Sequence, residues 1–330
     1  MTVLVLSGED VREALAPAAC EAAMAQVLVA RARGEAFNPL RSVVAAPGAA
    51  GLMGLMPAHG RAAPGEQPVF ALKALCLIAD NPRRGLDAHQ GTVTLFDGAT
   101  GRPTAILDAS AVTEIRTAAV TALATRTLAR EDARRLAILG AGVQGRAHLH
   151  ALASVRAWEQ VRIYAPTGEH AAAAAALWAG PGEAVAAGSA NAAVEGADVV
   201  VAATSSRSPV LEHELLAPGA HINAVGASRP DARELHVRTV AAAALFCDSR
   251  ESLQAEAGEF RLALARGAIP GPEHVRAELG EVLAGLAPAR GHPGELTLFR
   301  SLGIAVEDLA AARLAVASAQ ERGLGREVPL

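Results

Sequence analysis

Hydrophobic and polar positions change their rhythm near residue 115. Residues 9–33 repeat apolar side chains at helical spacing and stop at Arg31, Arg33 and Gly34, a helix C-terminal signal. Short apolar runs follow at 42–46, 52–56, 69–78, 92–96 and 104–107, separated by turn formers. Asp97-Gly98 and Thr100-Gly101-Arg102-Pro103 divide the last two, as in a hairpin. This stretch predicts a mainly antiparallel sheet with a flanking helix. A long helix is predicted from Ser110 through Arg116 and Ala124 to about residue 129. After it the pattern becomes strand, helix, strand, with strands at 136–139, 161–164, 199–203, 222–225 and 244–247. That alternation marks a parallel sheet covered on both faces. The alanine-rich segment 171–193 reads as a biased helix. The tail 305–322 reads as an amphipathic helix that returns to the first domain. The expected fold class is α/β: a doubly covered parallel-sheet domain at 116–303, and a discontinuous α+β domain at 1–115 with 304–330.

Composition narrows the function classes. A length of 330 residues fits about two domains, and 51% hydrophobic residues supply ample core. The net charge of -4, without a basic block, offers no general attraction to nucleic acid or anionic membrane. One Tyr, two Trp and six Phe leave little aromatic surface for stacking bases. Cys20, Cys76 and Cys247 are odd in number and widely spaced, which fits neither a disulfide framework nor a zinc site. The apolar opening, residues 1–6, is too short for a signal peptide and lacks a basic start. No apolar run spans a bilayer. The expectation is a cytoplasmic protein with no metal, no nucleic acid and no membrane partner.

Lys73 changes that picture. Of the 30 basic residues it is the single lysine; every other one is arginine. Such a composition replaces lysine wherever a surface charge suffices, so the lysine that remains is a candidate for work a guanidinium cannot do. An ammonium in a dry pocket can lower its pKa and pass a proton, whereas arginine stays protonated. Lys73 also sits within Val69-Phe70-Ala71-Leu72-Lys73-Ala74-Leu75-Cys76-Leu77-Ile78, a run that reads as a buried strand. The competing reading is an ammonium at a strand edge that snorkels to water.

The second chemical signal is a glycine loop. Arg135-Leu136-Ala137-Ile138-Leu139 feeds into Gly140-Ala141-Gly142-Val143-Gln144-Gly145 and then a helix-forming stretch. This is G-x-G-x-x-G between a strand and a helix, its required place. Gly140 permits the tight turn, Gly142 lets backbone approach a pyrophosphate, and Gly145 allows close helix–sheet packing. The helix N-terminus then meets the phosphate charge. The 116–303 domain is thus expected to be a Rossmann domain. The end of its second strand reads Tyr164-Ala165-Pro166-Thr167-Gly168-Glu169-His170. It carries neither the acid that holds the NAD ribose nor the arginine that holds the NADP phosphate. NAD and NADP both remain open, with NADPH modestly favoured because Thr167, the helix start and His170 are mildly favourable to an anion.

With these residues in place, the chain resembles the ornithine cyclodeaminase/mu-crystallin family over nearly its whole length. The resemblance rests on Leu55-Met56-Pro57-Ala58, His89-Gln90-Gly91, Arg116-Thr117-Ala118-Ala119, Gly140-Ala141-Gly142-Val143-Gln144, Ile222-Asn223-Ala224-Val225-Gly226-Ala227, Pro230-Asp231 with Glu234-Leu235, and Ser301-Leu302-Gly303. It implies a discontinuous substrate and dimerisation domain beside the Rossmann domain, a homodimer, and amino acids or related imines as substrates. By matched motif, Arg41 and Lys73 would hold the substrate carboxylate, with Arg116 pointing into the same cleft. Asp231 would face the substrate nitrogen and share the catalytic role with Lys73. His89, Arg116, Thr117, Gly140, Gly142, Val143, Gln144, Thr167, Thr204, Val225 and Ser301 would line the cofactor, with Ala88 near the nicotinamide. Without the resemblance each has a plainer reading. Arg116 would pair with an acid such as Glu114, Asp231 would be a turn or cap residue, and His89 a core histidine.

One departure decides between activities. Deaminating members of the family resemble one another in a glutamate two residues before the Met-Pro dipeptide, where this chain has Gly54. The second amine of ornithine would lose its counter-ion, unless another acid such as Glu66 filled the gap. The expected function is NAD(P)H-dependent reduction of the C=N bond of a ketimine or imino acid, or the related amino-acid dehydrogenase reaction. The alternatives are an ornithine or lysine cyclodeaminase with catalytic NAD, and a cofactor-bound small-molecule binding protein without turnover.

Overall fold

The computed structural model describes residues 2–61, 65 and 67–330; Met1 of the apolar opening and Glu66 lie outside the described residues. The chain divides into two compact units, Met1–Arg116 with Gly303–Leu330 and Thr117–Leu302. The α/β fold class expected from the apolar rhythm is the one observed.

The first unit is built on an eight-stranded sheet. Edge to edge it runs Arg326–Pro329, Thr2–Leu6, Pro103–Asp108, His89–Asp97, Val69–Leu77, Leu52–Gly60 and Ala36–Phe37, with Ser42–Val44 also paired to Leu52–Gly60. Every pairing is antiparallel except Thr2–Leu6 with Pro103–Asp108. Alternation along Val69–Leu77 buries Val69, Ala71 and Lys73 on one face. In register with Lys73 stand Met56 and Val93, both buried. The helix Ala305–Arg322 lies against Leu52–Gly60, Val69–Leu77 and His89–Asp97 and also packs on the helix Pro17–Ala32. It ends at Gly323, whose φ of 67° is the left-handed conformation that closes helices.

The second unit is a wholly parallel sheet in the order Glu183–Ala186, Gln160–Tyr164, Arg135–Leu139, Val199–Ala202, His221–Ala224, Thr297–Arg300, Ala244–Cys247 and Val275–Glu278. The strands Val199–Ala202, His221–Ala224 and Thr297–Arg300 are buried at every position and Arg135–Leu139 at all but its first, as a sheet covered on both faces requires. Strand order reverses between Arg135–Leu139 and Val199–Ala202, so the crevice at the carboxyl ends opens there.

Several local expectations need correction. The 9–33 helix is two helices, Gly8–Ala14 and Pro17–Ala32, bent by 84°. Pro17 has no N–H to continue a helix but suits the first turn of the next one. The segment 171–193 is not one helix. It contains Gly168–Ala175, the strand Glu183–Ala186 and a short helix Ala190–Val194. The first helix ends at Ala175, Gly180-Pro181-Gly182 turns the chain into the strand, and the Ser189 side chain accepts from the Ala192 N–H to start the second helix. The apolar opening forms a strand inside the sheet, and Val275–Glu278 and Thr297–Arg300 are further strands whose polar residues keep them from standing out as apolar runs. No single helix among the described residues is long and apolar enough to cross a membrane.

Candidate functional site

In the second unit the glycine loop is shaped by close approach. Gly140 has φ +110°, and a Cβ there would lie 2.3 Å from the carbonyl oxygen of Ala203. A Cβ at Gly145 would lie 1.9 Å from the carbonyl oxygen of Gly140, so only glycine lets the helix Val143–Leu152 start this close to the turn. Gly142 is different: a Cβ there meets nothing within 4 Å. Its substitution would fill open space in front of the helix start rather than collide with protein. Val143 and Gln144 form the first turn of that helix, with Val143 40% exposed. The loop therefore fits a dinucleotide, whose pyrophosphate would take the N–H groups at Gly142–Gln144.

The other expected cofactor residues fall in two places. Thr117, Thr204, Val225, Thr167 and Ser301 belong to the second unit; His89 and Arg116 belong to the first. The hydroxyls of Thr117 and Ser301 are buried without a hydrogen-bond partner among the described residues, an arrangement that suits a polar ligand atom. Thr204 and Val225 follow the strands Val199–Ala202 and His221–Ala224 at their carboxyl ends. Thr167 is the N-cap position of Gly168–Ala175, and it, Glu169 and His170 are exposed. Asp231 lies in an exposed turn, gripped by Arg229 through hydrogen bonds of 3.0 Å to each oxygen and by Arg207. The hydrogen bonds from Arg229, with help from Arg207, hold its carboxyl below the ordinary range.

In the first unit the lysine and arginine of the sequence reading meet in a buried ionic cluster. Lys73 Nζ donates to Thr113 Oγ1 at 2.6 Å and to Asp308 Oδ1 at 3.1 Å. Arg116 donates through Nε to the same Asp308 oxygen at 3.0 Å and through Nη1 to Glu307 Oε2 at 2.9 Å. Lys73 is 2% exposed, so it does not snorkel to water. Burial lowers its pKa to about 8; the Asp308 charge pulls the other way, and the charges of Arg116 and Arg41 add to the fall. Burial raises the Asp308 carboxyl, but Arg116 and Lys73 more than reverse this and leave it below its usual value. Arg41 donates through Nη2 to the Gly303 carbonyl at 2.8 Å. His89 opens its strand with a side chain about half exposed, so it is not a core histidine.

Glu307 and Asp308 were not singled out from sequence. They sit in the first turn of Ala305–Arg322, where acids are common for helix-dipole reasons alone. The pairing of Arg116 with Glu114 does not occur; Glu114 instead takes Arg12 Nε at 3.1 Å. Gly54 is buried on the strand beside Val69–Leu77, and a Cβ there would meet only the Leu75 side chain, at 3.9 Å. Within 4 Å of that Cβ position, among the described residues, stands no acid.

Known proteins share both sequence and fold. Ketimine reductase mu-crystallin of Mus musculus is 38% identical over 281 residues, 85% of each chain. The Thermococcus litoralis delta(1)-pyrroline-2-carboxylate reductase, solved in complex with NADH and L-proline, is similar at TM-score 0.92 and 33% identity over 99% of this chain and 100% of that one. An archaeal alanine dehydrogenase dimer with bound NAD is similar at TM-score 0.92 and 30% identity over 100% of both chains. The ornithine cyclodeaminase/mu-crystallin sequence profile matches residues 1–323, and with the glycine loop and the Lys73 and Arg116 motifs in their places, the chain belongs to that family.

Proposed function

We propose that the protein is an NAD(P)H-dependent reductase of the C=N bond in a cyclic ketimine carboxylate, such as pyrroline- or piperideine-2-carboxylate, and acts as a homodimer. The observation that carries the reading is the buried Lys73 ammonium, with a pKa lowered to about 8 beside Arg116. Such a group holds a substrate carboxylate and gives up a proton near neutral pH, which an arginine does not do. A relative named as a ketimine reductase, and a delta(1)-pyrroline-2-carboxylate reductase solved with NADH and L-proline, support the same substrate class. The nicotinamide, when bound, supplies a hydride to the imine carbon. Arg41 and Lys73 anchor the carboxylate. Lys73 protonates the imine nitrogen, for it is largely charged at neutral pH. Asp231, whose pKa its arginines depress, is ionised there and stabilises positive charge on that nitrogen instead.

His89, Thr117, Gly140, Gly142, Val143, Gln144, Thr167, Thr204, Val225 and Ser301 line the dinucleotide in this reading. Either cofactor is used, with a modest preference for NADPH. The test is an absorbance screen of NADH and NADPH oxidation over cyclic ketimine carboxylates and over 2-oxo acids mixed with simple amines. Oxidation with a cyclic ketimine supports the reading. Oxidation only with open-chain mixtures moves the substrate to the amino-acid dehydrogenase class, and no oxidation with any of them removes the reading.

A further inference from the structure

Glu234 belongs to the second unit and is 0% exposed, and both of its oxygens are met by donors. Oε1 accepts the Thr204 N–H at 2.6 Å and the Thr204 hydroxyl at 2.8 Å. Oε2 accepts the Gly226 N–H at 2.6 Å and the Ala227 N–H at 3.2 Å. These donors stand just past the carboxyl ends of the neighbouring parallel strands Val199–Ala202 and His221–Ala224. The two loops also touch directly. A Cβ on Gly226 would lie 2.0 Å from the Thr204 carbonyl oxygen and 2.6 Å from Glu234 Oε1. The first of these loops abuts the glycine turn as well, through Ala203 and Gly140. One side chain therefore fastens two loops of the crevice to each other, next to the Gly140–Gly145 turn.

The geometry points to Glu234 as a positioning residue for the dinucleotide: its ionised carboxylate holds the Thr204 and Gly226–Ala227 loops at the spacing that admits the cofactor. This rests on the reading of the second unit as the cofactor site. Four donors demand four acceptor directions, which a carboxylate has. A protonated carboxyl would turn its own hydrogen toward a donor and leave one bond unmade. Burial raises this carboxyl to about 7, opposed by the Thr204 hydrogen bonds and by the charge of Arg300, while Glu259 adds to the rise. Arg300 comes from the strand Thr297–Arg300 and Glu259 from the helix Gly258–Ala265, and the two are ion-paired. As pH rises through about 7 the fastening fills in, and well above it all four bonds are made. Below it the loops lose one of their ties, and the cofactor is held less well.

The full-length protein, Glu234→Gln and Glu234→Asp are compared by NADH and NADPH fluorescence titration and by amide-exchange protection without cofactor, at about pH 6 and about pH 8.5. We expect wild-type affinity to fall by about tenfold at the lower pH, with weaker protection at Thr204, Gly226 and Ala227. Glu234→Gln is expected to bind about tenfold more weakly at the higher pH and to show a flat pH dependence. Glu234→Asp, one methylene short of bridging both loops, keeps the pH dependence but loses affinity. If Glu234→Gln does not fold, the wild-type pH series and the aspartate variant decide. Wild-type affinity and protection that ignore pH, or a glutamine variant that binds like wild type, overturn the proposal while leaving the cofactor reading intact. A wild-type protein that binds neither nucleotide overturns both.

Discussion

Lys73 Nζ and Arg116 Nε converge on one oxygen, Asp308 Oδ1, at 3.1 Å and 3.0 Å. The three groups are buried, and Arg116 is tied further to Glu307. Charge placed this deep persists only when paired and hydrogen-bonded. The cluster thus keeps a lysine of lowered pKa, about 8, inside the sheet face.

Lys73→Arg tests the proton role directly. It retains the charge and the ability to bind a carboxylate but cannot release a proton near neutral pH, so we expect kcat to fall by about 10²–10⁴-fold. In the wild type, kcat/KM is expected to decline as pH rises past about 8, because the donor form of Lys73 is the protonated one. An arginine variant with near wild-type turnover would falsify the assignment.

Asp308→Asn removes the charge that raises the Lys73 pKa. The alkaline limb of the pH–rate profile should therefore move to lower pH. The same change takes the paired carboxylate from buried Lys73 and from Arg116 Nε, a loss of roughly 3 kcal/mol in unfolding free energy by denaturant titration. An unchanged limb would show that Asp308 does not set the lysine's proton affinity.

Gly54 bears on the substrate. Glycine itself offers no acid, and a Cβ there meets only Leu75 within 4 Å, so the second amine of L-ornithine would enter without an acid at this position and bear the cost of desolvation. We expect no meaningful proline or ammonia from ornithine, checked by amino-acid analysis of long incubations. Robust conversion would overturn the choice of reductase and direct attention to another acid, Glu66 included.

Cofactor choice follows from the end of Gln160–Tyr164. Neither an acid nor an arginine stands at Ala165 or Pro166, and Thr167 and His170 are exposed near the helix start. NADPH should be preferred within about tenfold in kcat/KM, about 1.4 kcal/mol. A hundredfold preference for NADH would mean that Glu169 reaches the ribose.

Two alanine substitutions separate packing from binding in the glycine loop. Gly145→Ala collides with the Gly140 carbonyl and should lower Tm as well as NADH affinity. Gly142→Ala meets open space, so its Tm should stay near wild type while NADH affinity falls at least tenfold. Equal Tm losses in both variants would contradict the distinction.

What the sequence by itself determined is local. The glycine loop was legible because its glycines, strand and helix lie within about a dozen residues and each position has its own backbone requirement. Lys73 was legible because one charge interrupts an apolar strand in a chain otherwise free of lysine. The break at Pro17 was readable in principle, being a backbone rule, but the apolar spacing on either side concealed it. Only the tertiary structure decided what Lys73 and Arg116 meet. Asp308 lies 235 residues from Lys73 and Glu307 lies 191 from Arg116, in a helix whose acidic first turn looks ordinary in sequence. Glu234 was likewise visible as a motif residue, but its four donors come from two loops that meet because two parallel strands are neighbours. Backbone preferences are written over a few residues. The pairing of buried charges depends on which faces the sheet and its helices bring together, and packing settles that.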